Sequence, residues 1–194
     1  IGTASCGAHW LRPTTQLSRV MAEITPEDLA VVEQQLGRFP RGCFRVAARC
    51  DCTAPLVVQT EPRLPDGTPF PTTYYLTCPK LAGAIGTLES TGLMREMEAE
   101  LAQDLELAAA YKAAHERYLA DRELLGIVPE LKDISAGGMP NRVKCLHVLI
   151  GQSLACGPGV NPLGDRALAM LSPWWQPTSC LSSAPSSAPS SCPS

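Results

Sequence analysis

Residues 43–81 read CFRVAARCDCTAPLVVQTEPRLPDGTPFPTTYYLTCPKL, and their pattern decides the fold. Cys43–Arg49 and Leu56–Thr60 are short runs rich in apolar and β-branched residues, which predicts two strands. Residues 49–55 form the turn between them. Residues 61–71 carry four prolines and an Asp-Gly pair, so they predict an ordered loop and not a strand. Thr72–Thr77 (TTYYLT) predicts a third strand. After Cys78-Pro79 the period changes. Leu81, Ile85 and Leu88 are spaced i, i+4, i+7, as on one face of a helix. Three short strands followed by helices predict an α+β fold, with a small antiparallel sheet packed against a helical body.

Upstream, Thr25 is suited to cap a helix, Pro26 to its first position, and Glu27 and Asp28 to its positive end. Leu29, Val32 and Leu36 give its apolar stripe, and Gly37 ends it. Downstream, Thr91-Gly92 is a break. One long helix is expected from about Leu93 to Leu125, roughly 50 Å at 1.5 Å per residue. Its stripe is Met94, Met97, Leu101, Leu105, Ala108, Tyr111 and Tyr118. A further helix is expected from near Pro140 to Cys156-Gly157, and a short one from Asp165 to Leu171.

The chain has 194 residues, 45% hydrophobic and 18% charged, with a formal charge of −3. That composition predicts one globular domain. Its scattered Lys and Arg are not a nucleic-acid footprint. No apolar run approaches the ~20 residues of a membrane-spanning helix. The domain is expected at residues 21–175. Residues 176–194 are a Ser/Pro/Ala-rich tail expected to be disordered. Residues 1–20 lack periodicity and read as a flexible leader or upstream translation before Met21, with a mitochondrial-type leader as the alternative. Trp174 and Trp175 mark the boundary.

Nine cysteines are an odd number without an apolar signal segment before them, which argues against a secreted disulfide framework. Cys6, Cys180 and Cys192 lie in the terminal segments. The other six fit core packing, metal ligation or thiol chemistry in a reducing cytoplasm. Cys50, Cys52, Cys78 and Cys145 are the candidate ligand set for zinc or iron, with His147 as an alternative ligand. On a continuous helix from Pro140, Cys145 and His147 would stand ~200° apart and could not face one ion together. Core packing, or a reactive thiol near a helix start, fits the same cysteines.

Residues 135–165 (SAGGMPNRVKCLHVLIGQSLACGPGVNPLGD) concentrate glycines, cations and His. Gly137, Gly138, Arg142 and Lys144 before a helix are a candidate anion site, and a capping loop is the plainer reading. The Gly spacing is not that of a phosphate loop. Asp104, Tyr111, His115 and Arg122 share one face of the long helix. They predict either a cleft, with His115 as acid/base, or a buried hydrogen-bond network, and His147 in the 135–165 block is the other acid/base candidate. The apolar excess of residues 93–125 is a candidate protein-partner or homodimer surface. Catalysis is left open.

FRVAARCDC, PRLPDGTPFPTTYYLTCPKL, LESTG, YKAAHERYLADR and the 135–165 block resemble the bacterial domain-of-unknown-function family 501, typical of actinobacteria. The resemblance spans about residues 24–171. It implies a cytoplasmic bacterial protein of unestablished activity, often encoded beside a septum-formation-initiator-like protein, enolase and an exopolyphosphatase. It also implies that Cys50, Cys78, Cys145 and His147 recur, that Cys52 is replaceable, and that a His often stands where this chain has Gln152. The readings this leaves are a binding or accessory module whose Cys/His cluster holds a structural metal, or an enzyme for a small anionic or phosphorylated substrate using Gly137-Gly138, Arg142, Lys144 and His147.

Overall fold

Thr25 opens the first helix as its sequence requires. In the computed structural model, which describes residues 23–171, its hydroxyl accepts the Asp28 N–H at 3.2 Å, and Pro26 holds the first helical position. Helix α1 spans Pro26–Leu36, and Gly37 ends it in the left-handed region at φ +66°. The readings of residues 1–20, the tail and Trp174–Trp175 lie outside the described residues.

Strands β1 (Cys43–Arg49), β2 (Pro55–Thr60) and β3 (Tyr74–Leu76) form an antiparallel sheet in the order β1-β2-β3. Val58 pairs with Val46 on one side and Tyr75 on the other. All six residues of β2 are buried, so the central strand is covered on both faces. β3 is shorter than TTYYLT predicts, because Thr72 and Thr73 are used otherwise. Thr73 donates its N–H to the Tyr118 hydroxyl at 2.6 Å.

The helical body comprises α2 (Pro79–Glu89), α3 (Leu93–Leu101), α4 (Leu105–Glu123), α5 (Leu146–Cys156) and α6 (Pro162–Met170). Leu146, Leu149 and Ile150 of α5 share a core with Leu81, Ile85, Met97, Tyr111, Tyr118 and Leu163. α5 lies close on the sheet because Gly151 has no side chain; a Cβ there would sit 3.0 Å from the Tyr74 carbonyl. α6 lies equally close to α5, since a Cβ on Gly164 would collide with the Leu149 carbonyl. The fold is therefore α+β, as the strand and helix patterns predict.

Three helix boundaries also differ from expectation. The long 93–125 helix is two helices. Asp104 sits in an extended conformation (φ −106°, ψ 101°), and its carboxylate accepts the N–H groups of Glu106 at 3.0 Å and Leu107 at 2.9 Å. An Asp cap thus starts α4 afresh, and Leu105, assigned to the apolar stripe, is 82% exposed. The second difference lies before α5, which begins at Leu146 and not near Pro140. Cys145 is extended at φ −159°, ψ 115°. Residues 137–144 fold back on themselves, with Arg142 N–H on the Gly138 carbonyl and Lys144 N–H on that of Gly137. The third is α6, which begins at Pro162 because Asn161 caps it, accepting the Gly164 N–H at 2.9 Å.

The polar face of α4 is the buried network, not a cleft. Tyr111 donates to the Arg142 carbonyl at 3.0 Å, His115 Nδ1 meets the Ser135 hydroxyl at 2.9 Å, and Arg122 donates to the carbonyls of Leu131 and Ile134. These bonds pin the 131–142 loop against α4. Asp104 is not part of it. Met97, Tyr111 and Tyr118, from the surface considered for a partner, are buried within the chain. No helix among the described residues is long and apolar enough to cross a membrane.

Candidate metal centre

The extended Cys145 changes what α5 can present. A residue at the cap is not bound by helical spacing, so the ~200° objection to Cys145 and His147 acting together no longer applies. Cys145 Sγ lies 3.8 Å from His147 Nδ1. The third member comes from α2. Glu89 is its last residue, and its Oε1 lies 3.2 Å from the same nitrogen. That carboxylate oxygen also accepts the Leu146 N–H at 2.7 Å, which caps α5 and places negative charge at its positive end. One oxygen therefore joins the C-terminal end of α2 to the N-terminal end of α5.

His147 Nε2 faces the Ala82 carbonyl at 3.2 Å. Ala82 and Glu89 are seven residues apart on α2, hence on one face, and the imidazole lies along it. Nε2–H donating to Ala82 leaves Nδ1 as the nitrogen turned towards Glu89 and Cys145. Glu89, Cys145 and His147 each offer a ligand atom, and the three atoms lie within 4.8 Å of one another. Among the described residues no second such group occurs. The cluster lies at the solvent line, with the His147 side chain 32% exposed, that of Glu89 23%, and Cys145 half-buried.

Three electron-rich atoms around one point call for a cation. A proton is one answer. The pKa of His147 is raised to about 9, first by its hydrogen bond to Cys145 against the opposing effect of burial, with the Glu89 charge adding to it. The arrangement is not a nucleophile–base–acid triad. Such a triad orients the imidazole from one nitrogen and takes the nucleophile's proton on the other. Here sulfur and carboxylate address the same nitrogen, and the other is held by a backbone carbonyl.

The four-cysteine set is not assembled. Cys50 and Cys78 are buried in the core, and Cys52 is exposed in the β1–β2 turn. Cys78 caps the start of α2, about 16 Å along the helix from Glu89 at 1.5 Å per residue. Cys43, whose thiol burial pushes up to about 11, lies in β1. Cys156 lies at the other end of α5, 3.7 Å from an Asp121 oxygen that Tyr74 and Arg117 already address at 2.7 and 2.8 Å.

Of the candidate anion residues, Gly137 and Gly138 are engaged through their carbonyls and Lys144 through its backbone N–H, and Lys144 is exposed. The carbonyls of Gly137 and Gly138 close the loop, with Gly137 at φ +77° and Gly138 at φ +93°. A Cβ on Gly138 would meet the Arg142 carbonyl at 2.9 Å, so glycine is required there. Arg142 pairs with Glu98, which also accepts the Val143 N–H at 2.9 Å. The α5 N-terminus is filled by Glu89. His115 is buried beside Ser135, bonded to a different element from His147. Gln152, on α5, is buried and bonded to the Ala114 carbonyl at 2.8 Å and Asn161 at 2.9 Å, a structural role.

Glu89 escaped the sequence reading. Its partners stand 56 and 58 residues away, and only its place in the LESTG block, just ahead of the Thr91-Gly92 break, hinted at more than a helix end.

No curated protein and no solved structure matches the chain. A family model described as "Protein of unknown function (DUF501)" matches residues 46–169, which include all three members of the cluster and more than half of the chain. The protein therefore belongs to the DUF501 family.

Proposed function

We propose that this protein is a metal-holding binding module, with Glu89, Cys145 and His147 as protein ligands and zinc as the metal. The observation that carries it is the convergence of three unlike donors on one point while His147 Nε2 is tied to the Ala82 carbonyl. A ligating His characteristically donates its second N–H to a carbonyl or carboxylate, which fixes the tautomer and aims the other nitrogen. Sulfur, nitrogen and carboxylate oxygen together suit zinc, and iron is the other metal compatible with them.

Bound there, the ion would link α2 to α5 and neutralise the charge of Cys145 and Glu89. Loading requires the cation to displace the proton of His147, so binding strengthens as pH rises. A cytoplasmic location belongs to the same proposal, since an unoxidised thiol is needed. The enzyme reading for an anionic substrate finds less support, because Arg142 and the α5 N-terminus are already engaged by Glu98 and Glu89.

The test is metal analysis of protein purified anaerobically without chelators. Stoichiometric zinc that C145S and H147A each lose supports the proposal. Protein that is folded, reduced and metal-free even after zinc is added and excess removed refutes it. Stoichiometric iron in place of zinc would keep the site and change the metal.

A further inference from the structure

We infer that the metal centre is open: a fourth coordination position accepts a small neutral donor from outside the chain, water at rest. This rests on the metal reading above. Four observations carry it.

The first is the number of donors. Closed structural zinc sites have four protein ligands, whereas sites with exchangeable chemistry have three and a solvent ligand. Among the described residues, three donors converge. The second is exposure. His147 and Glu89 retain 32% and 23% of their side-chain surface, unlike the buried cysteines of the core. The third is the approach. Gly86 lies between Ala82 and Glu89 on α2, three residues before the carboxylate, and it is exposed. A Cβ there would meet nothing within 4 Å, so there is open space at the Gly86 position beside the cluster. The His147 ring spans the same two residues, from the Ala82 carbonyl to the Glu89 carboxylate.

The fourth observation is charge, and it sets the class of ligand. A dication held by a thiolate, a carboxylate and a neutral imidazole is electroneutral. It exerts little Coulomb attraction on an anion from outside, in contrast to a centre held by neutral ligands alone. Neutral oxygen or nitrogen donors are thus favoured over phosphate-like anions.

The experiment uses the full chain with its metal exchanged for Co²⁺, whose visible bands report coordination. A thiolate-to-cobalt charge-transfer band is expected in the wild type and lost in C145S, with circular dichroism confirming that the variant is folded. Imidazole should then shift the visible bands of the wild type to a saturating endpoint. Azide should need about tenfold higher concentration for the same shift, equivalent to about 1.4 kcal/mol. Cobalt bound through Cys145 with bands that imidazole does not move would overturn the open position and leave the metal site standing. Azide binding as tightly as imidazole would overturn the neutral-donor assignment. A chain that takes up no cobalt at all would overturn the metal reading, and this inference with it.

Discussion

Glu89 Oε1 accepts the Leu146 N–H at 2.7 Å, so the carboxylate of the candidate centre is also the cap of α5. The two roles separate by substitution. E89Q keeps an oxygen to accept the N–H but loses the charge, whereas E89A loses both. Removing a cap costs about 1 kcal/mol, which is about 2–4 °C in Tm for a domain of this size. E89A should therefore melt about 2–4 °C lower than metal-free wild type, and E89Q closer to it. Both should bind zinc at least about tenfold more weakly, or 1.4 kcal/mol. Thermal denaturation of apo protein and competition with a chromogenic chelator measure the two effects. Wild-type zinc affinity in E89Q would remove Glu89 from the ligand set.

His115 gives a pH dependence of known sign. Burial lowers its pKa below the ordinary 6.5, so the folded chain prefers the neutral imidazole. The unfolded chain takes up the proton first as pH falls, and the unfolded state gains. The stability tied to a neutral His115 is complete above about pH 6.5. It is lost as the pH drops through that value towards the lower folded one. H115Q cannot titrate, so urea midpoints between pH 7.5 and 5.5 should fall less in H115Q than in wild type. Parallel slopes for the two proteins would show that His115 carries no such linkage.

Two helical glycines should respond in opposite directions. Gly164 packs so tightly on α5 that a Cβ would strike the Leu149 carbonyl, a backbone atom that cannot swing aside. G164A should cost about 1–3 kcal/mol by overpacking. Gly86 faces open space, so G86A should stabilise by roughly 0.5–1 kcal/mol from helix propensity. Urea denaturation of the two variants is sufficient. A neutral G164A would mean that α6 can shift away from α5 at little cost.

The break at Asp104 can be tested in the same way. D104A removes the acceptor for Glu106 and Leu107 and should cost about 1 kcal/mol, while D104S, another good cap, should recover most of it. If α3 and α4 instead behaved as one continuous helix, alanine would be the better residue and D104A would raise Tm.

The elements read correctly from sequence are those whose signals are local. Thr25-Pro26 and Gly37 bound α1, and the β-branched run at residues 56–60 gives β2, which begins one residue earlier at Pro55. The break at Asp104 was hidden because Leu101, Leu105 and Ala108 continue a helical spacing across it, and periodicity outweighed the cap. Pro140 misled in the same manner, since a proline suited to a helix start lies in a loop that Gly137 and Gly138 fold back. That error cost the centre, because Cys145 and His147 diverge only if both are helical. Glu89 could not be read at all: its link to α5 is a tertiary contact with no periodicity to announce it.

The four-cysteine set and the Glu89–Cys145–His147 cluster make opposite predictions for Cys78. Cys78 is fully buried at the start of α2, packed with the core. In C78S a hydroxyl replaces the thiol in that setting. Burying it should cost about 1–3 kcal/mol, a loss of several degrees in Tm, with zinc stoichiometry unchanged in the fraction that remains folded. C145S acts at the solvent line. It should change the Tm of apo protein little and lower zinc affinity by at least about tenfold. Measuring zinc content and melting on both variants separates the two arrangements. Loss of zinc in C78S at a temperature where circular dichroism shows it fully folded would restore Cys78 as a ligand and refute the cluster proposed here.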